Sequence, residues 1–206
     1  MIKLYKNFLP EVMAENLHQS VYDCDSAWWE KVRLIRGDKD NIITTHNTVR
    51  GLSHDYNDRL TSSLRDGYFT YSFTRSMKHF RTCKCFQCEF RTYASYVLKD
   101  HIEKNSDLGD VELDEMFFSV YERGDFLSTH HDSNKGDVAF VLNLTKDWRP
   151  EYGGVFHCEG QYVVPEFNSL MLLYLGENGV PHYVSEVSQR APHQRIAISG
   201  WFRKSK

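Results

Sequence analysis

The pattern of apolar positions divides the chain into a mixed first half and a β-rich second half. In the first segment, apolar residues recur at every fourth position: Met13, Leu17 and Val21. This spacing predicts an amphipathic helix over residues 9–21, because Pro10 is tolerated in a first helical turn. Short helices are also predicted near residues 60–65 and 93–103, on either side of an aromatic strand, "YFTYSF". We expect these helices to buttress a sheet.

From about Met116 onward, the pattern changes to short apolar runs separated by glycine, proline, asparagine or aspartate. The runs are "MFFSVYE", "DVAFVLNLT", "GGVFHC", "QYVV", "SLMLLYL", "HYVSEV" and "RIAISGWF". About seven or eight short strands at this spacing predict a β-barrel or a jelly roll. No internal repeat, low-complexity tract or linker interrupts the pattern, so we expect residues 1–206 to form a single domain.

The composition is that of an ordinary globular protein without a charge-driven partner. The 206 residues carry a formal net charge of −3, which gives no overall attraction to nucleic acid. The N-terminal segment lacks the apolar core of a signal peptide, and no apolar run approaches the ~20 residues that span a bilayer. We therefore expect a cytoplasmic protein with no nucleic-acid and no membrane partner.

Two adjacent histidines precede an aspartate in "STHHDS", residues 128–133. Side chains alternate between the two faces of a strand, so His130 and Asp132 project together while His131 points to the other side. His130 is therefore the candidate metal ligand of the pair, with Asp132 as its partner. A third ligand must come from elsewhere in the chain.

Three histidines lie downstream of this segment. His182 begins the predicted strand "HYVSEV", far enough along the chain for a hairpin and two strands to bring it back across a barrel. The sequence around His157, "GGVFHCEG", favours a structural role for this histidine, and His193 lies in a predicted loop. We predict His182 as the third ligand, because two imidazoles and one carboxylate on one face of a metal are the arrangement of non-haem Fe(II) oxygenases.

Five motifs extend this pattern: "YERGDFLSTHHD", "WRPEYGG", "PEFNSLMLL", "HYVSEV" and "RIAISGWF". In this order they resemble the Fe(II)- and 2-oxoglutarate-dependent dioxygenases of the prolyl-hydroxylase type, and most closely the branch that hydroxylates a proline in a ribosomal protein. The resemblance covers about residues 110–203. It implies an α+β fold in which residues 111–203 form a double-stranded β-helix, a jelly-roll or cupin-like core, and residues 1–110 form a helical and mixed support region.

The resemblance also implies roles for individual residues. His130, Asp132 and His182 would hold Fe(II), and 2-oxoglutarate and O2 would be the cosubstrates. Arg195, on "RIAIS", matches the basic residue that binds the far carboxylate of 2-oxoglutarate. This role has an independent physical reason, because a planar guanidinium can grip a carboxylate through two parallel hydrogen bonds.

Two further cosubstrate contacts are implied. Tyr121 matches a tyrosine whose hydroxyl contacts 2-oxoglutarate in the family. Asn143 departs from the pattern, since relatives often have a tyrosine at its position, although an amide could still donate a hydrogen bond. Ala197 likewise replaces a small polar residue that is often seen two positions after the arginine.

The implied reaction is the hydroxylation of an unactivated C–H bond, with succinate and CO2 as the other products. By resemblance, the first choice of substrate is a prolyl residue of a protein or peptide, and the second is a free amino acid or small metabolite. Nucleic-acid demethylation is a third choice, disfavoured by the mild acidity. The alternative of another class is a non-catalytic β-helix protein that keeps the fold for binding.

The cysteines allow a separate metal site in "HFRTCKCFQCEF". His79, Cys83, Cys85 and Cys88 could supply four ligands to a structural zinc ion. The C-x-C-x-x-C spacing is compact for one tetrahedral site, so unliganded thiols are the alternative reading of this segment.

Overall fold

One continuous antiparallel sheet dominates the structure and includes most of the second half of the chain. The computed structural model describes residues 1–24, 28–34, 45–46, 54–77 and 85–205. The strands are β1 (Ile2–Tyr5), β2 (Trp29–Leu34), β3 (Thr45–His46), β4 (Tyr71–Ser76), β5 (Val111–Tyr121), β6 (Phe126–His130), β7 (Val138–Asn143), β8 (Phe156–Cys158), β9 (Gln161–Val163), β10 (Ser169–Tyr174), β11 (His182–Val184) and β12 (Arg195–Lys204). The helices are α1 (Glu11–Asp23), α2 (His54–Arg65), α3 (Phe86–Tyr93) and α4 (Lys99–Lys104), and a π-helical segment, Ala94–Leu98, joins the last two.

The strand order folds this sheet back on itself. The strands run in the order β1-β10-β7-β12-β5-β4-β6-β11-β8-β9, and β2 and β3 continue from β4. Strands β10, β7, β12 and β5 form one layer, and β6, β11, β8 and β9 form the other. Strand β4 joins the two layers because it pairs with both β5 and β6. This is the double-stranded β-helix that the motifs implied, and the predicted fold class is confirmed.

Strand β10 contributes to two separate hydrophobic cores. Leu170 and Leu172 belong to the core between the sheet and the helices, whereas Met171 and Leu173 belong to the core inside the β-helix. A strand that is buried on both faces needs a continuous apolar run rather than an alternating one, which explains the sequence "SLMLLY". The inner core forms part of the wall of the cavity described below.

The helices of the first half lie where their patterns predicted them, with different bounds. The helix behind Pro10 is α1, and the other two predicted helices are parts of α2 and of the run from α3 to α4. Strands β1, β2 and β3 were not predicted from the sequence; β1, for example, has only four residues, and its partner β10 lies in the second half of the chain. Within the described ranges, no helix is both long enough and apolar enough to cross a membrane.

Candidate active site

Three potential metal ligands meet where β6 pairs with β11. His130, the last residue of β6, lies directly opposite His182, the first residue of β11, in the antiparallel register. Asp132 follows two residues after the end of β6. One nitrogen from each imidazole and one oxygen of the carboxylate all lie within 4.8 Å of one another. Over the part of the chain that the structure describes, this is the one such cluster, and it is the set predicted from the sequence.

The two imidazoles are oriented by backbone carbonyl groups two residues upstream of each histidine. His130 Nδ1 lies 2.9 Å from the carbonyl oxygen of Ser128, and His182 Nδ1 lies 2.7 Å from that of Val180. A carbonyl oxygen only accepts hydrogen bonds, so Nδ1 is the protonated nitrogen in each ring. The Nε2 atoms, 3.6 Å and 3.4 Å from the oxygens of Asp132, therefore carry the lone pairs that a metal requires.

The other histidines of this region lie away from the cluster. His131 is exposed on the opposite side of the chain from His130, as the alternation of side chains predicted. His157 stacks on Tyr183 with the ring centroids 4.4 Å apart, and His193 is exposed beside Trp148. Neither histidine is brought to the cluster, in agreement with the sequence analysis.

Arg195, the first residue of β12, lines the same cavity as the three ligands. It is only 3% exposed, and its Nε atom is buried without a hydrogen bond. No carboxylate among the described residues forms an ion pair with it; its guanidinium instead lies 4.9 Å from the ring centroid of Tyr121. Burial lowers the pKa of Arg195, and Tyr121 offsets part of that effect. A buried guanidinium without an anion is costly, so the site is arranged to receive a negative group.

Tyr121 lies directly opposite Arg195 in the pairing of β5 with β12. Burial raises the pKa of its phenol to about 12, so the hydroxyl is neutral at physiological pH. The ring also stacks on Phe73, with the centroids 5.3 Å apart. A neutral, immobilised phenol beside a guanidinium can donate a second hydrogen bond to the same anion.

Aromatic side chains form much of the remaining cavity wall, and the sequence analysis assigned them no role. Phe73, Phe117 and Trp201 line the cavity, with Phe117 5.9 Å from Trp201 between ring centroids. Phe73 belongs to β4, so the first half of the chain supplies part of the site. The signal available in the sequence was the alternation of aromatic residues in "YFTYSF" and "MFFSVYE". This alternation predicts aromatic side chains on one face of each strand, but not which other strand that face packs against.

Comparison with protein families gives a match over the strands that build this cavity. Residues 116–203 match the family model described as the 2OG-Fe(II) oxygenase superfamily. Residues 116–203 therefore carry a 2OG-Fe(II) oxygenase domain. A comparison with curated protein sequences gives no significant match.

Solved structures with the same fold include several prolyl hydroxylases. A Pseudomonas putida prolyl-4-hydroxylase superposes with a TM-score of 0.63 at 19% identity, covering 100% of this chain and 93% of that one. A Trichoplax adhaerens prolyl hydroxylase, in complex with a peptide fragment of the hypoxia inducible factor oxygen degradation domain, has a TM-score of 0.63 at 17% identity, with 98% and 83% covered. The viral collagen prolyl hydroxylase of Paramecium Bursaria Chlorella virus-1, as a 2OG complex, has a TM-score of 0.52 at 11% identity, with 100% and 96% covered. These likenesses identify the fold of the oxygenase.

The donor set of the oxygenase fits Fe(II) in charge and protonation. Burial lowers the pKa of His130, with a further contribution from His182, so its imidazole stays neutral to lower pH than usual. Burial opposes the ionisation of Asp132, but hydrogen bonding, including that from Trp201 Nε1, and the positive charge that the two imidazoles carry when protonated outweigh it and hold the pKa of this carboxyl below its usual value. Two neutral imidazoles and one carboxylate are the ligand set of non-haem iron oxygenases. The predicted iron and 2-oxoglutarate requirements of the oxygenase are supported.

The Asn143 side chain is hydrogen-bonded within the sheet and has no direct contact with the oxygenase cavity. It is buried at the end of β7, and its amide donates a hydrogen bond to Ser169 Oγ at 3.1 Å. It is not among the residues that line the cavity. Contact between Asn143 and 2-oxoglutarate therefore stays a prediction, and the amide is already engaged within the sheet.

The proposed zinc ligands of the oxygenase fall only partly within the described residues. Cys85 and Cys88 have their sulfur atoms 3.7 Å apart at the start of α3. His79 and Cys83 lie outside the described residues. With only two of the four proposed ligands described, the structure gives no support for a structural zinc ion.

Proposed function

We propose that the oxygenase hydroxylates a prolyl residue of a protein or peptide, using 2-oxoglutarate and O2. The support for the reaction is the family match together with the cluster of His130, Asp132 and His182. The support for the substrate is the similarity of the fold to prolyl hydroxylases, one of which was solved with a peptide. The resemblance of the motifs to the branch that acts on a ribosomal protein points in the same direction.

One observation carries the cosubstrate assignment: Arg195 is a buried cation that forms no ion pair with any acidic residue the structure describes, and it lines the cavity that also holds the three ligands. A dicarboxylate that spans from the ligands to Arg195 would neutralise it. With Fe(II), the Asp132 carboxylate, Arg195 and doubly charged 2-oxoglutarate in place, the formal charges cancel. A partly desolvated site of this kind carries no uncompensated charge.

The residues of the chain have separable tasks in this reaction. When bound, Fe(II) supplies the redox chemistry that couples oxidation of 2-oxoglutarate to insertion of one oxygen atom into a C–H bond. His130, Asp132 and His182 would hold it, each presenting its donor atom to the same point. Arg195 and Tyr121 would bind and orient the far carboxylate of 2-oxoglutarate. The aromatic wall excludes water, which strengthens these ionic contacts.

Two alternative functions, a hydroxylase of small molecules and a non-catalytic binding protein, can be compared with this proposal. A free amino acid or small metabolite as substrate is compatible with the same ligands, and only the identity of the hydroxylated product separates the two possibilities. A non-catalytic binding protein would have no reason to keep a buried triad and a buried, unpaired arginine together. The cytoplasmic location and the absence of a nucleic-acid partner stay predictions.

The test is a search for the hydroxylated product. The iron-loaded protein is incubated with 2-oxoglutarate and either a library of proline-containing peptides or a mixture of free amino acids, and mass spectrometry identifies species that gain one oxygen. We expect hydroxyproline in a peptide, with stoichiometric succinate, and neither product from His130→Ala. Oxygen gained only by a free amino acid would contradict the substrate. The absence of any 2-oxoglutarate turnover across these mixtures would contradict the function.

A further inference from the structure

The carboxylate of Asp132 receives a hydrogen bond from an indole. Trp201 Nε1 donates to Asp132 Oδ2 at 3.0 Å. The same oxygen lies 3.4 Å from His182 Nε2, whereas Oδ1 lies 3.6 Å from His130 Nε2. The two oxygens of this ligand are therefore in different environments, and the indole fixes which one faces which imidazole.

Trp201 completes a pattern in which every ligand has one orienting partner. The two imidazoles are each held by a backbone carbonyl two residues upstream. Asp132 follows the end of β6, outside the strand ladder, and its carboxylate has no backbone donor among the described residues. A carboxylate at such a position can rotate about its side-chain bonds unless another group restrains it. The indole N–H is that restraint.

Regular alternation along β12 directs this indole into the cavity. Trp201 lies six residues after Arg195, on the same face of the strand, and both residues line the cavity. The register with β5 shifts only beyond Trp201, where β5 has one extra residue, Asp114. Gly200, the residue before Trp201, allows β12 to lie close to its neighbours, because a Cβ there would collide with the carbonyl oxygen of Glu115 and lie 2.6 Å from Cε1 of Phe140. The same strand thus carries the cosubstrate anchor and the indole.

Two side chains lie close to the indole ring. Phe117 packs against it with the centroids 5.9 Å apart, and Lys135 Nζ lies 5.3 Å from the ring centroid. Lys135 also pairs with Glu115 at 3.5 Å, which keeps the ammonium group in place. A donor on an immobilised ring loses little conformational freedom when its hydrogen bond forms, so the N–H acts as a fixed support.

We propose that Trp201 is a positioning residue: its indole N–H holds the Asp132 carboxylate in the orientation that binds the metal. The inference rests on the iron site of the proposed function and adds to it a residue outside the ligand set. Changes in the groups that orient metal ligands typically cost about 10- to 100-fold in metal affinity. The role therefore predicts a defect in metal binding itself, before any cosubstrate or substrate is present.

The experiment measures the binding of Mn(II) alone to the full-length, metal-free protein by isothermal titration calorimetry. Mn(II) suits nitrogen and oxygen ligands and does not require anaerobic work to stay divalent. Trp201→Phe keeps an aromatic ring and removes the donor. Trp148→Phe is the matched control, because its Nε1 donates to the carbonyl oxygen of Gly153 at 2.8 Å and it does not line the cavity.

We expect Trp201→Phe to weaken Mn(II) binding by about tenfold or more, and Trp148→Phe to change it by less than about twofold. Equal affinities for wild type and Trp201→Phe would overturn the positioning role and leave the iron site intact. Failure of the wild type to bind Mn(II) would overturn the iron site itself, and with it this inference.

A second substitution separates the hydrogen bond from packing. Site-specific incorporation of β-(3-benzothienyl)alanine at position 201 keeps the bicyclic shape and replaces the N–H by sulfur, so the ring contacts with Phe117 and Lys135 survive. Thermal unfolding of the metal-free proteins confirms that each is folded. The same loss of Mn(II) affinity in this protein assigns the effect to the N–H, whereas wild-type affinity would show that only the ring matters and would overturn the proposal.

Discussion

His130 and His131 are neighbours in the chain, yet the backbone turns their side chains to opposite sides. His130 is partly buried, with its ring centroid 4.2 Å from that of His182, while His131 is exposed. The end of a strand can separate two chemically identical residues in this way because alternation still holds at its last position. At the residue scale, function follows the direction of a side chain rather than its type.

Substitution of each histidine tests this separation. His130→Ala removes one of the three ligands and is expected to abolish iron-dependent 2-oxoglutarate turnover. His131→Ala removes only an exposed imidazole and is expected to leave most of the activity. Succinate release under saturating iron measures both. Comparable losses from the two substitutions would show that the register at the end of β6 differs from the one described.

Arg195 offers a second test at this scale. Removing one member of a buried, hydrogen-bonded charge pair typically costs ~2–5 kcal/mol, and each ~1.4 kcal/mol is a factor of ten. Arg195→Met should therefore weaken the binding of 2-oxoglutarate by roughly 30-fold or more, and Arg195→Lys should restore only part of it because the two-pronged geometry is lost. Half-saturation by 2-oxoglutarate in a succinate assay measures the effect, and Mn(II) binding should survive. Identical half-saturation in all three proteins would exclude Arg195 as the anchor.

At the scale of elements, the turn in "WRPEYGG" lies against Arg195. This turn contains a short 3-10 helix, Pro150–Tyr152, followed by two glycines with positive φ. Gly154 has a φ of +61°, and a Cβ at this position would lie 2.8 Å from Arg195 Cδ. The turn therefore packs closely against the Arg195 side chain and supports it in its position.

Two glycine substitutions distinguish this support from ordinary backbone strain. Gly154→Ala and Gly160→Ala both place an alanine in the left-handed region, but a Cβ at Gly160 meets nothing within 4 Å. Both proteins should be destabilised by about 1 kcal/mol or more from the backbone alone. Only Gly154→Ala should also weaken 2-oxoglutarate binding, by about tenfold. Thermal unfolding and the half-saturation assay report the two effects separately, and equal half-saturation in the two variants would argue against the support.

Elements also show how far the sequence could predict the site. The triad and Arg195 could be predicted from the sequence because each of these residues lies in a short motif on a single strand or at its end. The contributions of Phe73 and Trp201 could not be predicted, since the place of Phe73 in the cavity wall and the contact of Trp201 with Asp132 depend on which distant strands pair. Pairing between distant strands is set by the whole core and leaves no local signal. The same reason explains the missed strand β1, whose partner is β10.

At the scale of the whole molecule, the first half of the chain is joined to the oxygenase core by a buried ion pair. Lys31 Nζ, on β2, lies 2.5 Å from Asp125 Oδ2 in the turn between β5 and β6, and the two side chains are 7% and 4% exposed. Asp125 also accepts hydrogen bonds from Ser72 Oγ at 2.7 Å and from the backbone N–H of Glu122 at 2.9 Å. One carboxylate therefore connects β2, β4 and the core.

Loss of this pair should destabilise the protein as a whole. Lys31→Met leaves the Asp125 carboxylate buried and without its cation, which typically costs about 3–5 kcal/mol. Lys104→Met is the control, because the pair of Lys104 with Asp100 is well exposed and such pairs contribute about 0–1 kcal/mol. Urea unfolding measures both changes. A loss no larger than that of the control would mean that the two halves do not depend on this contact.

Because His130 lies opposite His182, a bound metal ion should affect how long the folded protein persists. An ion held between β6 and β11 joins two strands that are distant in sequence, and it is bound only when they are paired. A ligand that binds only the folded state, present at about one hundred times its dissociation constant, adds ~2.7 kcal/mol to the free energy of unfolding. For a chain of this size, this corresponds to a rise of several degrees in melting temperature. Thermal unfolding with and without Mn(II) would show it. In a cell short of iron, the metal-free molecules would unfold more often and be degraded sooner. Iron supply would then set how much of the enzyme exists as well as how fast it works.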